Sequence, residues 1–224
     1  MQLTERTMSV LKNYASINPN IVIEKGNTVK TISEARNVLS SAQLDVDFPE
    51  TFGIYDLNEF LNVLSLTDNP SLKFESEYVI VTDSVGRSRT KYFYSALDVL
   101  TKPSKDIIMP EPDVIFTLDR GTLAKIRRAA SVLGHTELSV SCIDNVVSLS
   151  VLDSKDNTSN VFTIDVDGNF KEEKFNFIFN ISNLKMVDGD YNVSLSSKLI
   201  SHFVNVETAT EYWVALEKTS TFGV

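Results

Sequence analysis

Arg120, Lys125, Arg127 and Arg128 crowd into one short stretch near the middle of the chain. Guanidinium and ammonium groups packed this closely hold phosphate oxygens by charge and hydrogen bonding; they bind and do not make bonds. From Asp119 to Leu133 only Asp119 opposes them, leaving a local charge of +3. A weaker copy lies between Thr4 and Ile17, where Arg6 and Lys12 outnumber Glu5 by one. The whole chain carries −9, so with +3 and +1 in these two stretches the remainder carries −13. The total charge alone argues against nucleic acid as a partner; its uneven distribution argues for one. A solvated basic helix face is the competing reading of the same residues.

Bond-making chemistry has no comparable foothold. His135 follows Gly134, His202 sits in an apolar run, and neither has metal-ligand spacing around it. The chain has no Gly-rich phosphate loop and no Gly-x-Ser-x-Gly elbow. Asp165-Val166-Asp167-Gly168-Asn169 echoes a calcium loop but lacks the distal glutamate, and Asp-Gly between apolar runs reads as a hairpin turn. Asp45 and Asp47 alternate with Leu44, Val46 and Phe48, the outer face of a half-buried strand. Glu172-Glu173 is a carboxylate pair without partners. Asn157-Thr158-Ser159 and Asn192-Val193-Ser194 match a glycosylation pattern that means nothing without a secretory signal. No catalytic residue, metal or cofactor is expected, and the chain reads as a non-enzyme.

The elements that must position the cations follow from periodicity. Thr4 caps a helix to Ile17, with Met8, Leu11 and Ala15 on its buried face. Asp119 caps another, with Leu123, Ile126, Ala130 and Leu133 buried and Gly134 ending it. At 100° per residue, Lys125 lies about 200° and Arg128 about 140° from Leu123, while Arg127 falls nearer the core edge. Asp56 caps a helix to Leu66 over Leu57, Phe60, Leu61 and Leu64, and Asn180 caps a short one to Met186. Strands are expected at 21–23, 28–32, 43–48, 72–74, 78–81 and 89–94, and in the second half at 137–143, 146–152, 161–166, 174–179, 191–195, 202–206 and 211–216. Ser40-Ser41 and Asp167-Gly168-Asn169 read as breaks. Many short alternating strands with few helices argue an α+β fold with antiparallel sheets.

The chain also repeats itself. Leu3-Thr4 through Ala15-Ser16 aligns on Leu118-Asp119 through Ala130-Ser131, Ile54-Tyr55-Asp56-Leu57-Asn58 on Ile178-Phe179-Asn180-Ile181-Ser182, and Thr90-Lys91-Tyr92-Phe93 on Thr210-Glu211-Tyr212-Trp213. Three pairs in one order argue two copies of one module. Pro103, Pro110 and Pro112 mark the join. The expected division is a first domain at 1–100, a connector at 101–114 and a second domain at 115–224. A length of 224 residues accommodates two such domains. No stretch approaches a membrane span, and the N-terminus lacks a signal-peptide layout. The single cysteine, Cys142, excludes an intrachain disulfide and fits a reducing compartment, as a buried structural thiol.

The segments Leu11-Lys12-Asn13-Tyr14-Ala15-Ser16-Ile17-Asn18, Ile54 through Leu61, Phe175 through Met186, Gly189-Asp190-Tyr191 and Tyr212-Trp213-Val214-Ala215-Leu216-Glu217 resemble the sliding clamps of T-even-type bacteriophages, the processivity factors of their DNA polymerases. The resemblance spans essentially the whole chain, with 26–43 and 68–89 divergent. It implies two similar clamp domains per chain, with three chains joined head to tail into a ring. Helices would line the hole and antiparallel sheets form the outer wall. It further implies sequence-independent contact with duplex DNA through Lys12, Lys125 and Arg128, and with less weight Arg127, Arg6 and Lys185. The implied partners are the phage DNA polymerase, a clamp loader and late-transcription factors. These would dock apolar tails beside the connector, where Ile107, Ile108, Met109 and Pro110 stand. The alternative for those four residues is that they pack the connector. The implied location is the cytoplasm of the infected host, without a membrane. A different class stays open: a ring-forming structural or interaction protein of a phage that does not slide on DNA and has no need of the basic helix.

Overall fold

One threonine, Thr4, and two aspartates, Asp56 and Asp119, cap the three α-helices. In this computed structural model, which describes residues 1–156, 158–172 and 174–223, Thr4 Oγ1 accepts from the Thr7 amide at the start of α1 (Glu5–Ile17). Asp119 does the same for Thr122 in the second half. Each cap satisfies an amide that the helix leaves without a partner. Asn157 and Glu173, named above in a sequon and a carboxylate pair, lie outside the described residues.

The chain divides into two compact units, Met1–Lys105 and Asp106–Val224. In unit 1, α1 leads to β1 (Ile21–Ile23), β2 (Gly26–Ile32), β3 (Val38–Phe48), β4 (Phe52–Ile54), α2 (Leu57–Leu64), β5 (Ser71–Phe74), β6 (Tyr78–Thr82) and β7 (Arg89–Phe93). Strand β1 pairs with β4, β2 with β3, and β5-β6-β7 form a meander, all antiparallel. In unit 2 the order is β8 (Val114–Leu118), α3 (Arg120–Leu133), β9 (Glu137–Ile143), β10 (Val146–Leu152), β11 (Phe162–Val166), β12 (Gly168–Phe170), β13 (Phe175–Asn180), β14 (Tyr191–Ser196), β15 (Ile200–Asn205), β16 (Glu211–Ala215) and β17 (Thr221–Phe222). Strands run β11-β10-β9-β13-β17 in one sheet and β12-β8-β14-β15-β16 in another.

The repeat is visible in the pairing. The β1–β4 ladder recurs as β9–β13, β2–β3 as β10–β11, and β5-β6-β7 as β14-β15-β16. Even the bridge from Gln2 to Ser71 recurs, lengthened, as β8 against β14. Each module is α+β, with antiparallel sheets and few helices, as the alternation implies.

Aromatic side chains close both cores. In unit 1, Phe52 contacts Phe48, Phe74 and Tyr94 at centroid distances of 5.7, 5.4 and 5.0 Å. In unit 2, Phe179 meets Phe203 of the facing sheet at 5.8 Å, and Tyr191 meets both Phe203 and Tyr212. Offset and edge-to-face contacts at these separations are favourable beyond the area they bury.

Several local expectations need correction. The buried face of α1 is Thr7, Val10, Leu11, Tyr14 and Ile17, not Met8 and Ala15, which are only half-buried. The bulkier Val10 and Tyr14 turn inward. Ser40-Ser41 does not break a strand: β3 runs through it, and Ser40, fully buried, donates to the Tyr14 hydroxyl at 2.9 Å. A small polar residue here leaves room for the tyrosine and satisfies it. Asp167-Gly168-Asn169 is not a hairpin tip. Gly168 begins β12 against β8, where a Cβ would meet the Ile115 carbonyl at 2.7 Å and Phe116 Cβ at 2.8 Å. Glycine marks a close backbone approach at this position. The helix expected from Asn180 to Met186 is one 3-10 turn, Ile181–Asn183. Arg127 takes the carbonyls of Leu184 and Met186, and the Val187 amide donates to the Tyr212 hydroxyl. These bonds hold the chain after Asn183 outside a helix. Cys142 is half-buried, not buried.

Asp45 illustrates what alternation hides. Exposed on β3, it accepts from the Thr4 and Thr7 hydroxyls at 2.7 and 2.8 Å, tying the first turn of α1 to the sheet. The Thr4 bond foremost, then that of Thr7, holds its carboxyl below the usual carboxylate range. A depressed pKa stabilises the fold above the unfolded carboxyl's value of about 3.9 and stops doing so as pH falls through the folded value. Asp45→Ala is expected to cost about 1 kcal/mol at neutral pH, discounted for exposure. Denaturant titrations at pH 7 and at successively lower pH should show that difference and then its decline once pH falls through the folded carboxyl's own value; a pH-independent difference would remove the ionic origin.

Candidate DNA interface

The basic face is built from the buried side of α3 outward. Thr122, Leu123, Ile126 and Ala130 seat the helix. Around the helix axis, Arg128 then lies about 180° and Lys125 about 115° from the middle of that seat. Both are exposed. The N-terminal amides of α3 are covered twice: Asp119 accepts from Thr122, and Asp190 accepts from the Arg120 amide at 2.7 Å. Hydrogen bonds from the Thr122 hydroxyl, then its amide, hold the Asp119 carboxyl below its ordinary range.

Arg127 is differently used. Half-buried, it donates to the carbonyls of Leu184 at 2.9 Å and Met186 at 3.2 Å, and pairs with Asp188 at 3.4 Å. Arg120 approaches the other Asp188 oxygen at 3.5 Å. Asp188 thus draws two arginines to one edge of α3, and Arg127 fastens the following segment, with its exposed Lys185, beside the helix. The sequence angle placing Arg127 near the core edge agrees with this engagement, but no sequence signal pointed to Asp188.

Unit 1 is arranged similarly with less charge. Lys12 is exposed, about 165° from the centre of the buried face of α1. Arg6 is half-buried and donates to the Gln43 carbonyl at 2.9 Å. A groove of about 560 Å³ runs between α1 and the end of α2, lined by Glu5, Met8, Ser9, Lys12, Leu64 and Ser65 among others. Of the residues expected to dock partner tails, Ile108 is 90% exposed, and Ile107, Met109 and Pro110 are half-buried.

The remaining polar groups do local work. His135 Nε2 lies 2.8 Å from the Asn160 carbonyl. His202 stacks on Trp213 at 4.7 Å with an interplanar angle of 8°, and its Nε2 is 2.7 Å from Glu211. Sequence reasoning noticed Trp213 only as part of the repeat. Among the described residues, no group of three or more His, Cys, Asp or Glu could hold a metal ion. No helix of the described chain is long and apolar enough to cross a membrane.

Residues 4–95 match the family model for the DNA polymerase processivity factor, and residues 116–218 match that for the gp45 sliding clamp, C terminal. The sliding clamp of Vibrio phage KVP40 is 32% identical over 221 residues, covering 97% of this chain and 99% of that one. The chain belongs to the phage sliding-clamp family. The clamp of Enterobacteria phage T4 is 26% identical over 230 residues, covering 99% of both chains. The fold extends beyond phages. Proliferating cell nuclear antigen from A. fulgidus, solved with the C-terminal region of FEN-1 bound, superposes with a TM-score of 0.73 at 16% identity over 98% of each chain. The Entamoeba histolytica protein gives 0.67 at 18% over 94% of each. The clamp fold therefore rests on both sequence and structure and the sliding-clamp assignment on the sequence matches, and this clamp's module repeat is the one its sequence announced.

Proposed function

We propose that this clamp closes as a homotrimeric ring around duplex DNA and keeps the phage replicative polymerase on its template by enclosure. The observation that carries the reading is the outward basic face of α3, Lys125 and Arg128, on an otherwise acidic chain of a sliding-clamp family member. Phosphate contacts of this kind are independent of sequence and permit sliding. Lys185 on the segment that Arg127 fastens, and Lys12 on the outward face of α1, are proposed to share that role, whereas Arg6 and Arg127 are committed first to their own domains. The clamp does no chemistry; retention depends on topology. A head-to-tail ring needs two unlike edges, and β7 and β11 each end a sheet in their unit.

Partner tails are proposed to dock at Ile107, Ile108, Met109 and Pro110. An apolar side chain as exposed as Ile108 invites a cover, and the A. fulgidus neighbour is seen with a partner's C-terminal region bound. The polymerase, a clamp loader and late-transcription factors are the proposed users of that site, in the cytoplasm of the infected host.

Light scattering or sedimentation over a concentration series tests the assembly, with a species near three times the 25.0 kDa chain expected. Loaded clamp should then stay on closed circular DNA and run off once the circle is cut. Equal retention on both templates would sink the ring.

A further inference from the structure

The two domains repeat one fold but do not repeat its charge. On α3 the exposed outward cations are Lys125 and Arg128. The nearby carboxylates are occupied: Asp119 and Asp190 cap the helix, and Asp188 faces Arg120 and Arg127. On α1 and α2 the pattern inverts. Glu5 lies about 175° from the buried face of α1, on the same outward stripe as Lys12, seven residues on. Glu59 lies about 150° from the buried face of α2. Both glutamates are exposed, and Arg6 is turned onto the Gln43 carbonyl. The outward side chains of the helices therefore sum to +2 on α3 (Lys125, Arg128) and to −1 on α1 and α2 (Lys12, Glu5, Glu59).

We infer that this clamp grips phosphate chiefly through its second domain, and that in the first the hold of Lys12 is offset by Glu5 and Glu59 beside it. The inference rests on the ring reading and refines it. A trimer of two-domain chains would offer the duplex three attractive sectors separated by three indifferent ones. Phosphates in register with one unit 2 face leave the next sector with little hold. Alternation of this kind limits how tightly a ring binds at any one position, which suits a protein that must move. Glu5 and Glu59 also occupy the first turns of their helices, where a carboxylate is favoured by the helix dipole. That position keeps them in place without cost to the fold.

The test uses the full-length clamp and a fluorescently labelled linear duplex of about two turns, with affinity followed by anisotropy across a salt series. The slope of log affinity against log salt counts phosphates neutralised, at roughly 0.9 for each. Arg128→Ala is expected to lower that slope by about one for each subunit touching DNA. Lys12→Ala should lower it by clearly less than Arg128→Ala does, and Glu5→Lys with Glu59→Lys should steepen it. Arg128→Lys should restore most of the slope, separating charge from packing. Equal losses for Arg128→Ala and Lys12→Ala, a larger loss for Lys12→Ala, or no loss for either would overturn the inference. Retention on circular against linearised DNA, measured separately on the unaltered clamp, decides the ring.

Discussion

Reversing Lys125 and Arg128 together to glutamate is expected to bring clamp-dependent processive synthesis down to the level of the polymerase without a clamp. The stretch from Asp119 to Leu133 would pass from +3 to −1, a change repeated in every subunit of the ring. Each lost cation forfeits a counterion-releasing phosphate contact, and each glutamate adds repulsion in its place, so the affinity loss should be on the order of a hundredfold or more at low salt. The fold should be spared, because α3 is seated by Thr122, Leu123, Ile126 and Ala130 and both reversed residues are exposed. The measurement is product length in a primer-extension reaction with a single polymerase binding event, alongside the solution mass of the variant. Raising salt should narrow the gap between variant and unaltered clamp, since screening weakens attraction and repulsion alike. A variant of unchanged mass and unchanged product length would take α3 off the DNA path and favour a ring whose work does not involve sliding.

Much of this arrangement was legible because the repeat writes itself in caps and core positions. Thr4 and Asp119, or Asp56 and Asn180, accept from the backbone in the same way at matching places, and short side-chain oxygens before apolar periodicity are local signals. All four residues expected on the buried face of α2 are buried. What escaped was settled by partners distant in sequence. Ser40-Ser41 looks like a break until Tyr14 supplies the hydroxyl that satisfies Ser40. Gly168 looks like a turn until β8 passes too close for a side chain. The segment after Asn183 looks helical until Arg127 claims its carbonyls. The basic face itself was readable from helical angles. The carboxylates that shape it, Asp188 and Asp190, lie about 60 residues further along and carry no periodic mark.

Phe177→Ala is expected to cost about 3–5 kcal/mol and to melt the second domain first. Phe177 is 1% exposed and sits opposite Val140 on β9, which in turn sits opposite Leu149 on β10; both of these are fully buried. That cross-strand row runs through the middle of the sheet. The phenylalanine ring also packs against Phe175 at 5.8 Å and Phe222 at 6.1 Å, so it fastens the short final strand β17 to β13. Truncation would remove the ring and leave a void bounded by side chains from three strands, which cannot all close on it. A loss of this size is a large share of the 5–15 kcal/mol typical of whole proteins. The chain's single tryptophan, Trp213, lies in the second domain, so its fluorescence in a denaturant titration reads that domain and not the first. Val206→Ala supplies the contrast: this side chain is 59% exposed in the same domain, and its truncation should change stability by no more than about 0.5 kcal/mol. A loss under about 1 kcal/mol for Phe177→Ala, measured the same way, would mean that the row is not the core of its sheet. Because α3 depends on the same domain for its seat, the variant should lose DNA retention over the range of denaturant in which its tryptophan signal changes. Lys125→Glu/Arg128→Glu, by contrast, should lose retention with that transition in place. The two variants together separate a clamp that has no second domain from one whose second domain is intact and faces DNA with the wrong charge.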